Sequence, residues 1–595
     1  MSEISTTERV AEGVVATTPL ESELVGTWLA HFEAALSARS SEALRKILWS
    51  DFHWRDLMAF TWTVTPHDDL EAGIESLVCH QAEVKARNFR LRENATPPRR
   101  VRRHGVDSIE AFITFETEIG RCTGLVRLVA DEPEKAWVLA TSLDELKGHE
   151  EPIYQNRPAG SAYSRNFGGD NWSDIRAKDI TYADRDPAVL IVGAGQAGLA
   201  IAARLRLLGV DTLVVDMRAR VGDIWRERYH SLALHNQVNL NHMPYIPWPP
   251  NWPRYLPKDM IAGWLEAYAW AMEVNVWNNT EFLGADYDEA ARTWSVRLRL
   301  ADGSERVMKP RHLVFANGIA GKPLTPKLPG LDSFKGTVIH THHYREGAKW
   351  KGKKVLVVGA GTSGHDVAQD LHGHGAHVKI IQRGSATVSS VKAAGLVHSV
   401  YYDENLPTQD ADMIAAASSY PLLVRGYQAA VVKMKEVDKD LLAGLAARGF
   451  KLDFGEDETG HQMKFRRRHG GYYLNCGCSE LIVSGEVGLI QHEDTDRFVE
   501  NGLLMKDGTV EGADLIVTAT GYQNQEAVVR EMLGDQIADK VGQIWGIGPN
   551  GEIANMFVAT PQRGLWFAGG GFAHSRIYSQ YVAMGIKVRE LGLIE

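Results

Sequence analysis

The sequence has few of the features that mark secreted, membrane-spanning or nucleic-acid-binding proteins. Its 595 residues include only four cysteines, too few for a disulfide framework, which favours a reducing, cytoplasmic location. No apolar run approaches the roughly 18 residues of a membrane span, and the net charge of −10 disfavours nucleic acid and anionic membranes as partners. Residues 1–20 lack the basic start and apolar core of a signal peptide, and we expect a disordered tail there.

A glycine fingerprint follows a strongly apolar run. Val189–Val192 is continuously apolar, as in a buried parallel strand, and leads into GxGxxG. The three glycines permit a tight turn, a close approach of the backbone to a pyrophosphate, and close packing of the next helix. A second apolar strand ends at Asp216, where an acid binds a ribose hydroxyl. The alternative is a glycine-rich turn without a ligand. The predicted dinucleotide site contains Gly193, Gly195, Gln196, Ala197, Gly198, Asp216 and Met217.

A second fingerprint follows Lys354–Val358 and differs from the first in how it ends. Its second strand ends in Gln382 and Arg383 rather than in an acid. An arginine pairs with a 2′-phosphate that an acid would repel, so NADPH is favoured without exclusive use. The alternative is that Arg383 is only a solvated strand end. The predicted site contains Gly359, Gly361, Thr362, Ser363, Gly364 and Arg383.

Two dinucleotide sites in one chain predict electron transfer between a nicotinamide and a flavin, FAD. Thiol–disulfide reductases also have two such sites. However, Cys476 and Cys478 are separated by one residue, which matches neither a CxxC redox pair nor zinc ligands. We therefore interpret both cysteines as structural and expect no metal.

The region before the first fingerprint has a pattern of its own. Helical stripes near Trp28 and Leu44 precede several β-prone segments up to Ala140, which predicts an α+β domain over 21–152. By size and element order it resembles the cone-shaped nuclear-transport-factor-like fold, including SnoaL-like proteins. His31, His53 and Asp56 could suggest a site there, but such residues are more often structural.

Three further motifs resemble those of the class B flavoprotein monooxygenases, which include the flavin-containing monooxygenases, the Baeyer–Villiger monooxygenases and the plant YUCCA enzymes. Val221–Tyr229 is similar to their GxxW…RY segment, and Phe334–Tyr344 matches FxGxxxHxxx followed by an aromatic residue. Ala519–Tyr522 is similar to their late ATG motif. The long N-terminal extension resembles the type II flavin-containing monooxygenases, described as accepting NADPH or NADH and as oxidising ketones.

The resemblance covers about residues 187–595 and implies an α/β fold with two Rossmann-like domains. The FAD domain would be split around the NAD(P) domain, behind the N-terminal α+β domain. The expected boundaries are 1–20 for the tail, 21–152 for the α+β domain, 153–186 for a linker, 187–320 for the first segment of the FAD domain, 321–485 for the NAD(P) domain with a helical insertion, and 486–595 for the second segment of the FAD domain.

The resemblance also implies roles for particular residues. His235 occupies the position near the flavin C4a edge, where YUCCA enzymes have histidine, flavin-containing monooxygenases usually asparagine and Baeyer–Villiger enzymes aspartate. His235 is the first candidate catalytic residue there, and Asn236, next to it, is the second. His340 would lie at the hinge and help to position the nicotinamide, or would simply be a buried, hydrogen-bonded histidine. Arg383, turned inward, would favour an anionic peroxide. The remaining expected cofactor contacts are Trp225, Arg226, Thr520, Gly521 and Tyr522.

The implied activity is monooxygenation by a C4a-(hydro)peroxyflavin formed from FAD, NAD(P)H and O2. The expected substrates are small ketones, or compounds with an oxidisable nitrogen or sulfur atom. Alternatives are YUCCA-like oxidative decarboxylation of an aryl pyruvate, an NAD(P)H oxidase or redox module, and a binding protein whose cone captures a ligand. We expect a homo-oligomer, a dimer paired through the N-terminal domain.

Overall fold

The computed structural model describes residues 19–160, 163, 166–319 and 321–594. The chain forms two compact units. The first contains residues up to Glu150 together with His398–Gly426 and Asn550–Glu552, and the second contains Glu151–Val397, Tyr427–Pro549 and Ile553–Glu595. Most of the tail expected over residues 1–20 lies outside the described residues.

The described part of the chain contains the following helices and strands. The helices are α1 (Pro19–Ser37), α2 (Ser41–Ile47), α3 (Leu70–Val84), α4 (Trp172–Asp179), α5 (Gln196–Leu207), α6 (Asp223–Arg226), α7 (Lys258–Ala271), α8 (Thr362–Gly373), α9 (Val391–Ala394), α10 (Ser399–Tyr402), α11 (Thr408–Ala416), α12 (Tyr420–Val437), α13 (Lys439–Ala447), α14 (Gly460–Arg468), α15 (Cys478–Ser484), α16 (Gln525–Leu533), α17 (Asp535–Val541) and α18 (Phe572–Glu590). The strands are β1 (Leu48–Leu57), β2 (Val64–His67), β3 (Arg87–Leu91), β4 (Arg99–Arg103), β5 (Val106–Glu116), β6 (Gly120–Val129), β7 (Glu132–Leu146), β8 (Val189–Val192), β9 (Thr212–Val215), β10 (Ala233–Gln237), β11 (Tyr255–Pro257), β12 (Asn275–Trp277), β13 (Glu281–Asp288), β14 (Thr293–Arg299), β15 (Glu305–Met308), β16 (His312–Phe315), β17 (Thr337–His340), β18 (Lys354–Val358), β19 (His377–Gln382), β20 (Thr387–Ser390), β21 (Tyr472–Asn475), β22 (Gly488–Gln491), β23 (Thr495–Val499), β24 (Gly502–Met505), β25 (Val510–Gly512), β26 (Leu515–Thr518) and β27 (Leu565–Phe567).

The first unit is a mixed sheet with α1 and α3 packed against it. The strand order is β2-β1-β7-β6-β5-β3, with β4 paired to β5; only β1 and β7 run parallel. Trp28 and Phe32 of α1 stack with their ring centroids 4.8 Å apart, and both are buried. An α+β domain is thus observed here, while its assignment to the SnoaL-like fold stays a prediction.

The polar residues considered for a site in this domain do not come together. His31 is exposed, whereas the Nδ1 atom of His53 lies 2.6 Å from a carboxylate oxygen of Asp68. Asp56 is completely buried, and its oxygens accept hydrogen bonds from the backbone of Phe60 and Thr61 and the hydroxyls of Thr61 and Thr141. A carboxylate with its hydrogen-bonding capacity used in this way is a structural group.

A later part of the chain completes the core of this unit. Phe112 and Leu125, on β5 and β6, pack with Met413, Ile414 and Leu422 of the segment His398–Gly426. The sequence pattern places this segment within the helical insertion of the NAD(P) domain. The structure instead groups it with the N-terminal unit, because its apolar side chains cover one face of that sheet.

A buried charge network lies on the same sheet. Glu110 of β5 accepts hydrogen bonds from Arg99, Arg103 and Arg127, and Glu404 accepts from Arg99 and Arg103. Burial alone would raise the pKa of Glu110, but the guanidinium groups of Arg103 and Arg127 outweigh it and hold this pKa well below its usual range. Breaking one partner of such a buried network is costly because it leaves uncompensated charge.

The second unit contains two parallel sheets of the Rossmann type. The first has the order β12-β9-β8-β16-β27 and the second β17-β26-β18-β19-β22, with every neighbouring pair parallel. The mixed α/β fold with two such sheets agrees with the expectation from the fingerprints. The sequence predicts a return to the first domain at residue 486, yet β22 and β26 extend the second sheet. The chain re-enters the first sheet only at β27.

The described residues contain neither a candidate membrane-spanning helix nor a candidate metal-binding group. No helix among them is long and apolar enough to cross a membrane. Among the same residues, no group of three or more His, Cys, Asp or Glu side chains is arranged to hold a metal ion.

The network around Glu110 generates a prediction about stability. We expect Glu110→Gln to lower the free energy of unfolding by about 3–5 kcal/mol, since the buried guanidinium groups of Arg99 and Arg127 and the partly buried one of Arg103 would then face one carboxylate. Thermal and urea unfolding would measure the loss. Glu71→Gln, which breaks the exposed pair with Arg45, is the control and should leave the midpoint unchanged. An unchanged midpoint for Glu110→Gln would contradict the assigned role.

Candidate active site

The first fingerprint forms a turn shaped by its three glycines. Gly193 adopts φ +108°, and a Cβ atom there would lie 2.5 Å from the carbonyl oxygen of Ala316. A Cβ atom on Gly198 would lie 2.0 Å from the carbonyl oxygen of Gly193. At Gly195, by contrast, a Cβ atom would meet no protein atom within 4 Å. The outer glycines are therefore required by the turn itself, whereas the middle glycine borders open space at the start of α5.

The second fingerprint repeats this geometry. A Cβ atom would lie 2.5 Å from the carbonyl oxygen of Ala519 at Gly359, and 2.1 Å from the carbonyl oxygen of Gly359 at Gly364. At Gly361 its nearest neighbour would be a carbonyl oxygen 3.9 Å away. Both middle glycines are the N-caps of 12-residue helices, and neither has a capping side chain. Each turn is thus a cradle of backbone N–H groups at a helix N-terminus, which is suited to a pyrophosphate.

The other residues predicted at the first cradle have different environments. Asp216 directly follows β9, and its carboxylate accepts hydrogen bonds from the backbone N–H groups of Ala194 and Arg218. Arg226 uses its guanidinium to bind the carbonyl of Val221 and the carboxylates of Asp223 and Glu266. Met217 is exposed, Ala197 is buried, and the Gln196 amide donates to the carbonyl of Gly570.

Trp225 has the environment of a ligand contact. Its ring stacks on Phe572 with centroids 5.8 Å apart, and its indole N–H is buried without a protein partner among the described residues. A buried donor without a partner is costly unless a ligand or water accepts from it. This orphaned donor and the open cradle at Gly195 both fit FAD.

The second cradle differs from the first at the end of its second strand, where the adenosine ribose of a dinucleotide would lie. Gln382 is buried and is bound through its side-chain amide to both the N–H and the carbonyl of Lys451. Arg383 next to it is exposed, and among the described residues it forms no hydrogen bond or ion pair. The Thr362 hydroxyl donates to the carbonyl of Tyr472, and Ser363 follows it in α8. A free guanidinium beside this cradle fits the 2′-phosphate of NADPH.

His340 ends β17 and connects it to the late glycine turn. Its Nδ1 accepts a hydrogen bond from the His342 backbone N–H, and its Nε2 lies 3.1 Å from the carbonyl oxygen of Gly521. Because Nδ1 accepts a hydrogen bond and Nε2 faces a carbonyl oxygen, we assign the ring proton to Nε2. Burial lowers the pKa of His340, so its ring is neutral near pH 7. The Thr520 hydroxyl donates to the carbonyl of Leu324 and closes the same turn.

A cluster of polar residues lies beside this turn. The Arg228 guanidinium donates to the Tyr522 hydroxyl over 3.0 Å, and the Tyr522 ring lies 5.7 Å from that of His340. The neighbouring Tyr229 donates its hydroxyl hydrogen to Asp366 Oδ2 over 2.5 Å. His235 Nε2 lies 3.6 Å from the same oxygen.

The structure thus brings together some of the predicted catalytic residues and adds others. His340 and Tyr522 contact each other, and His235 joins the cluster through Asp366. Asn236 follows His235 on β10, whereas Arg383 lies exposed after β19. Sequence reasoning missed Arg228 and Asp366, although Arg228 was visible in the RY motif. No local signal marked Asp366 as its neighbour.

Cys478 does not have the environment of a reactive thiol. It is buried, and burial raises the pKa of its thiol, whereas Cys476 is exposed. A protonated, buried thiol is a poor nucleophile.

The open middle glycines generate a prediction. We expect Gly195→Ala to lower the affinity for FAD at least about tenfold, because the new methyl group would occupy the approach to the pyrophosphate. Gly361→Ala should weaken NADPH binding to a similar extent while FAD stays bound. Fluorescence and calorimetric titrations would measure both affinities.

Gly198→Ala serves as the comparison for this pair. It would place a Cβ atom 2.0 Å from a backbone oxygen, so it should destabilise even the apoprotein. Unchanged FAD affinity in Gly195→Ala would show that the cradle does not hold the flavin nucleotide.

The exposed guanidinium of Arg383 generates a second prediction. We expect Arg383→Ala to raise KM for NADPH roughly tenfold with little change in kcat, because a charge-assisted contact to the 2′-phosphate is lost. NADH lacks this phosphate and is the internal control, so its KM should stay the same. An equal loss with both nucleotides would overturn this assignment.

Comparisons with known proteins agree with the two-cradle architecture. Residues 187–396 match a family model described as pyridine nucleotide-disulphide oxidoreductase. Among solved structures, a mutant cyclohexanone monooxygenase from Rhodococcus sp. Phi1 bound to NADP+ has a TM-score of 0.50 and 17% identity. The likeness covers 69% of this chain and 87% of that one, and it supports the fold.

The similarity to curated proteins is stronger. Indole-3-pyruvate monooxygenase YUCCA1 of Oryza sativa subsp. japonica is 32% identical over 57% of this chain and 77% of its own length. A probable indole-3-pyruvate monooxygenase, YUCCA9 of Arabidopsis thaliana, is 31% identical over 56% of this chain and 75% of its own. The expected FAD and NADPH cofactors and the expected enzyme class are thereby confirmed. The chain belongs to the flavin-dependent monooxygenase family.

Proposed function

We propose that this protein uses FAD, NAD(P)H and O2 to insert an oxygen atom into small ketones or to oxidise nitrogen or sulfur atoms. The observation that carries the proposal is the pair of matching cradles, at Gly195 and Gly361, in one unit of the chain. When bound, the nicotinamide supplies a hydride and the reduced flavin activates oxygen. The protein must orient both cofactors and exclude water.

The residues beside the hinge suit this task. His340 is neutral and both its ring nitrogens are engaged, so it holds the turn rather than delivering a proton. Arg228 contributes the positive charge of the cluster and is oriented by Tyr522. A fixed cation favours an anionic form of a nearby group, and anionic activated oxygen attacks a ketone carbonyl. Arg228 therefore supports the ketone branch of the proposal.

A second candidate is the oxidative decarboxylation of an aryl pyruvate. It is supported by the 32% identity to the rice indole-3-pyruvate monooxygenase and by His235, the residue that YUCCA enzymes have at this position. Decarboxylation also begins with attack of activated oxygen on a carbonyl carbon, so the same cluster would serve. The two candidates differ in the substrate, not in the cofactors.

The test compares oxygenated product with hydrogen peroxide formed per NADPH consumed. FAD-loaded enzyme is supplied separately with cyclobutanone, a thioether and indole-3-pyruvate, with ¹⁸O₂ as the oxidant. We expect one substrate class to give a labelled product in a ratio to NADPH near unity, with little peroxide. In parallel reactions that contain catalase to remove free peroxide, a lactone would identify the ketone branch, a sulfoxide the heteroatom branch, and released CO2 the decarboxylating branch.

A reaction without substrate serves as the reference for uncoupled oxidation. Stoichiometric peroxide with every substrate would contradict oxygen insertion and would identify an NAD(P)H oxidase or redox module.

A further inference from the structure

One carboxylate connects the second cradle to the half of the unit that holds the first. Asp366 lies on α8, the helix that begins at the second fingerprint. Its Oδ2 atom accepts the hydrogen bond from Tyr229, a residue 137 positions earlier that follows α6. His235 Nε2 on β10 lies 3.6 Å from the same oxygen, within ion-pair range. Helix α8, which begins at the predicted nicotinamide cradle, thus contacts two residues of the half that contains the first fingerprint, which we call the flavin half.

The surroundings of this carboxylate make the contact specific. The side chain of Asp366 is only 10% exposed and Tyr229 is 3% exposed. The basic side chains that face Asp366 are His235 and Arg228 of the flavin half, and burial nevertheless raises the pKa of Asp366. Tyr473, Cys476 and Cys478, whose pKa values are raised mainly by burial, also lie near Asp366. Within this set, the polar partners within 3.6 Å of Asp366 Oδ2, Tyr229 and His235, both belong to the flavin half, so these contacts fix α8 against that half.

The position of Asp366 on its helix matters as well. It lies one turn beyond Thr362, so the segment between the cradle and the carboxylate is a single rigid helical turn. A shift of Asp366 would therefore move the cradle that faces the nucleotide. Flexible loops do not intervene between the contact and the binding turn.

We propose that Asp366 is a positioning residue that, through Tyr229 and His235, holds helix α8 against the flavin half and so retains the nicotinamide nucleotide after hydride transfer. This inference rests on the proposed function, in which a seated nucleotide keeps water from the reacting flavin. Loss of the contact should release NADP+ more easily and divert activated oxygen to peroxide.

The chain offers a matched control on the same helix. Asp370 lies one turn further along α8 and accepts a hydrogen bond from the Tyr344 hydroxyl, also at 2.5 Å. Its side chain is 6% exposed, and its other carboxylate oxygen lies 3.8 Å from His374 Nδ1 near the end of the same helix. Asp370→Ala therefore removes an equivalent tyrosine–carboxylate pair from α8 without touching Tyr229 or His235.

The first experiment measures the dissociation constant of NADP+ by calorimetry on FAD-saturated holoenzyme. We expect about tenfold weaker binding in Asp366→Ala and in Tyr229→Phe, and less than a twofold change in Asp370→Ala. The double variant should bind NADP+ no more weakly than Asp366→Ala, because Tyr229→Phe breaks a hydrogen bond that Asp366→Ala has already removed. Should Asp366→Ala fail to fold, Tyr229→Phe alone still tests the contact from the other side.

Three results would overturn the proposal: wild-type affinity in Asp366→Ala or Tyr229→Phe, an equal loss in Asp370→Ala, or additive effects in the double variant. The second measurement is the fraction of NADPH oxidised to peroxide, which should rise several-fold in Asp366→Ala and stay unchanged in Asp370→Ala. If the wild type itself makes only peroxide, the proposed function fails, whereas NADP+ affinity still decides whether the contact retains the nucleotide.

Discussion

The structure depends on a steric constraint repeated twice, in which the third glycine of each fingerprint packs on the carbonyl of the first. Any side chain at Gly198 or Gly364 would collide with that oxygen, about 2 Å away. The close packing brings each helix directly behind its strand and turns its free N–H groups towards the middle glycine. The two dinucleotide sites follow from this local arrangement.

Hydride transfer requires the two dinucleotide sites to be held together, and side-chain contacts at the turn after β26 and on α8 contribute to this. Arg228, which follows α6, reaches Tyr522 in the turn after β26, and His340 of β17 holds that turn within the second sheet. Asp366 adds a contact from the nicotinamide helix to Tyr229. Each contact is a partly buried hydrogen bond of 3.1 Å or less. The reacting ends of the two cofactors would therefore be aligned by side chains from both halves.

The sequence predicted the cradles well because their physics is local: apolar strand, glycine spacing and helix occur within about 20 residues. It could not predict the contact between Asp366 and Tyr229, which are 137 residues apart, or between Arg228 and Tyr522, which are 294 apart. The same limit applies to Arg99 and Glu404, 305 residues apart. Periodicity identified helices in that later segment, but it carried no information on which sheet their apolar faces would cover.

The central claim is that one chain holds a flavin and a nicotinamide so that a hydride passes between them. The most direct measurement is an anaerobic titration of the FAD-loaded protein with NADPH, followed by the visible absorbance of the flavin. The account predicts complete bleaching at one NADPH per bound FAD. A flavin that stays oxidised in the presence of bound NADPH would contradict it.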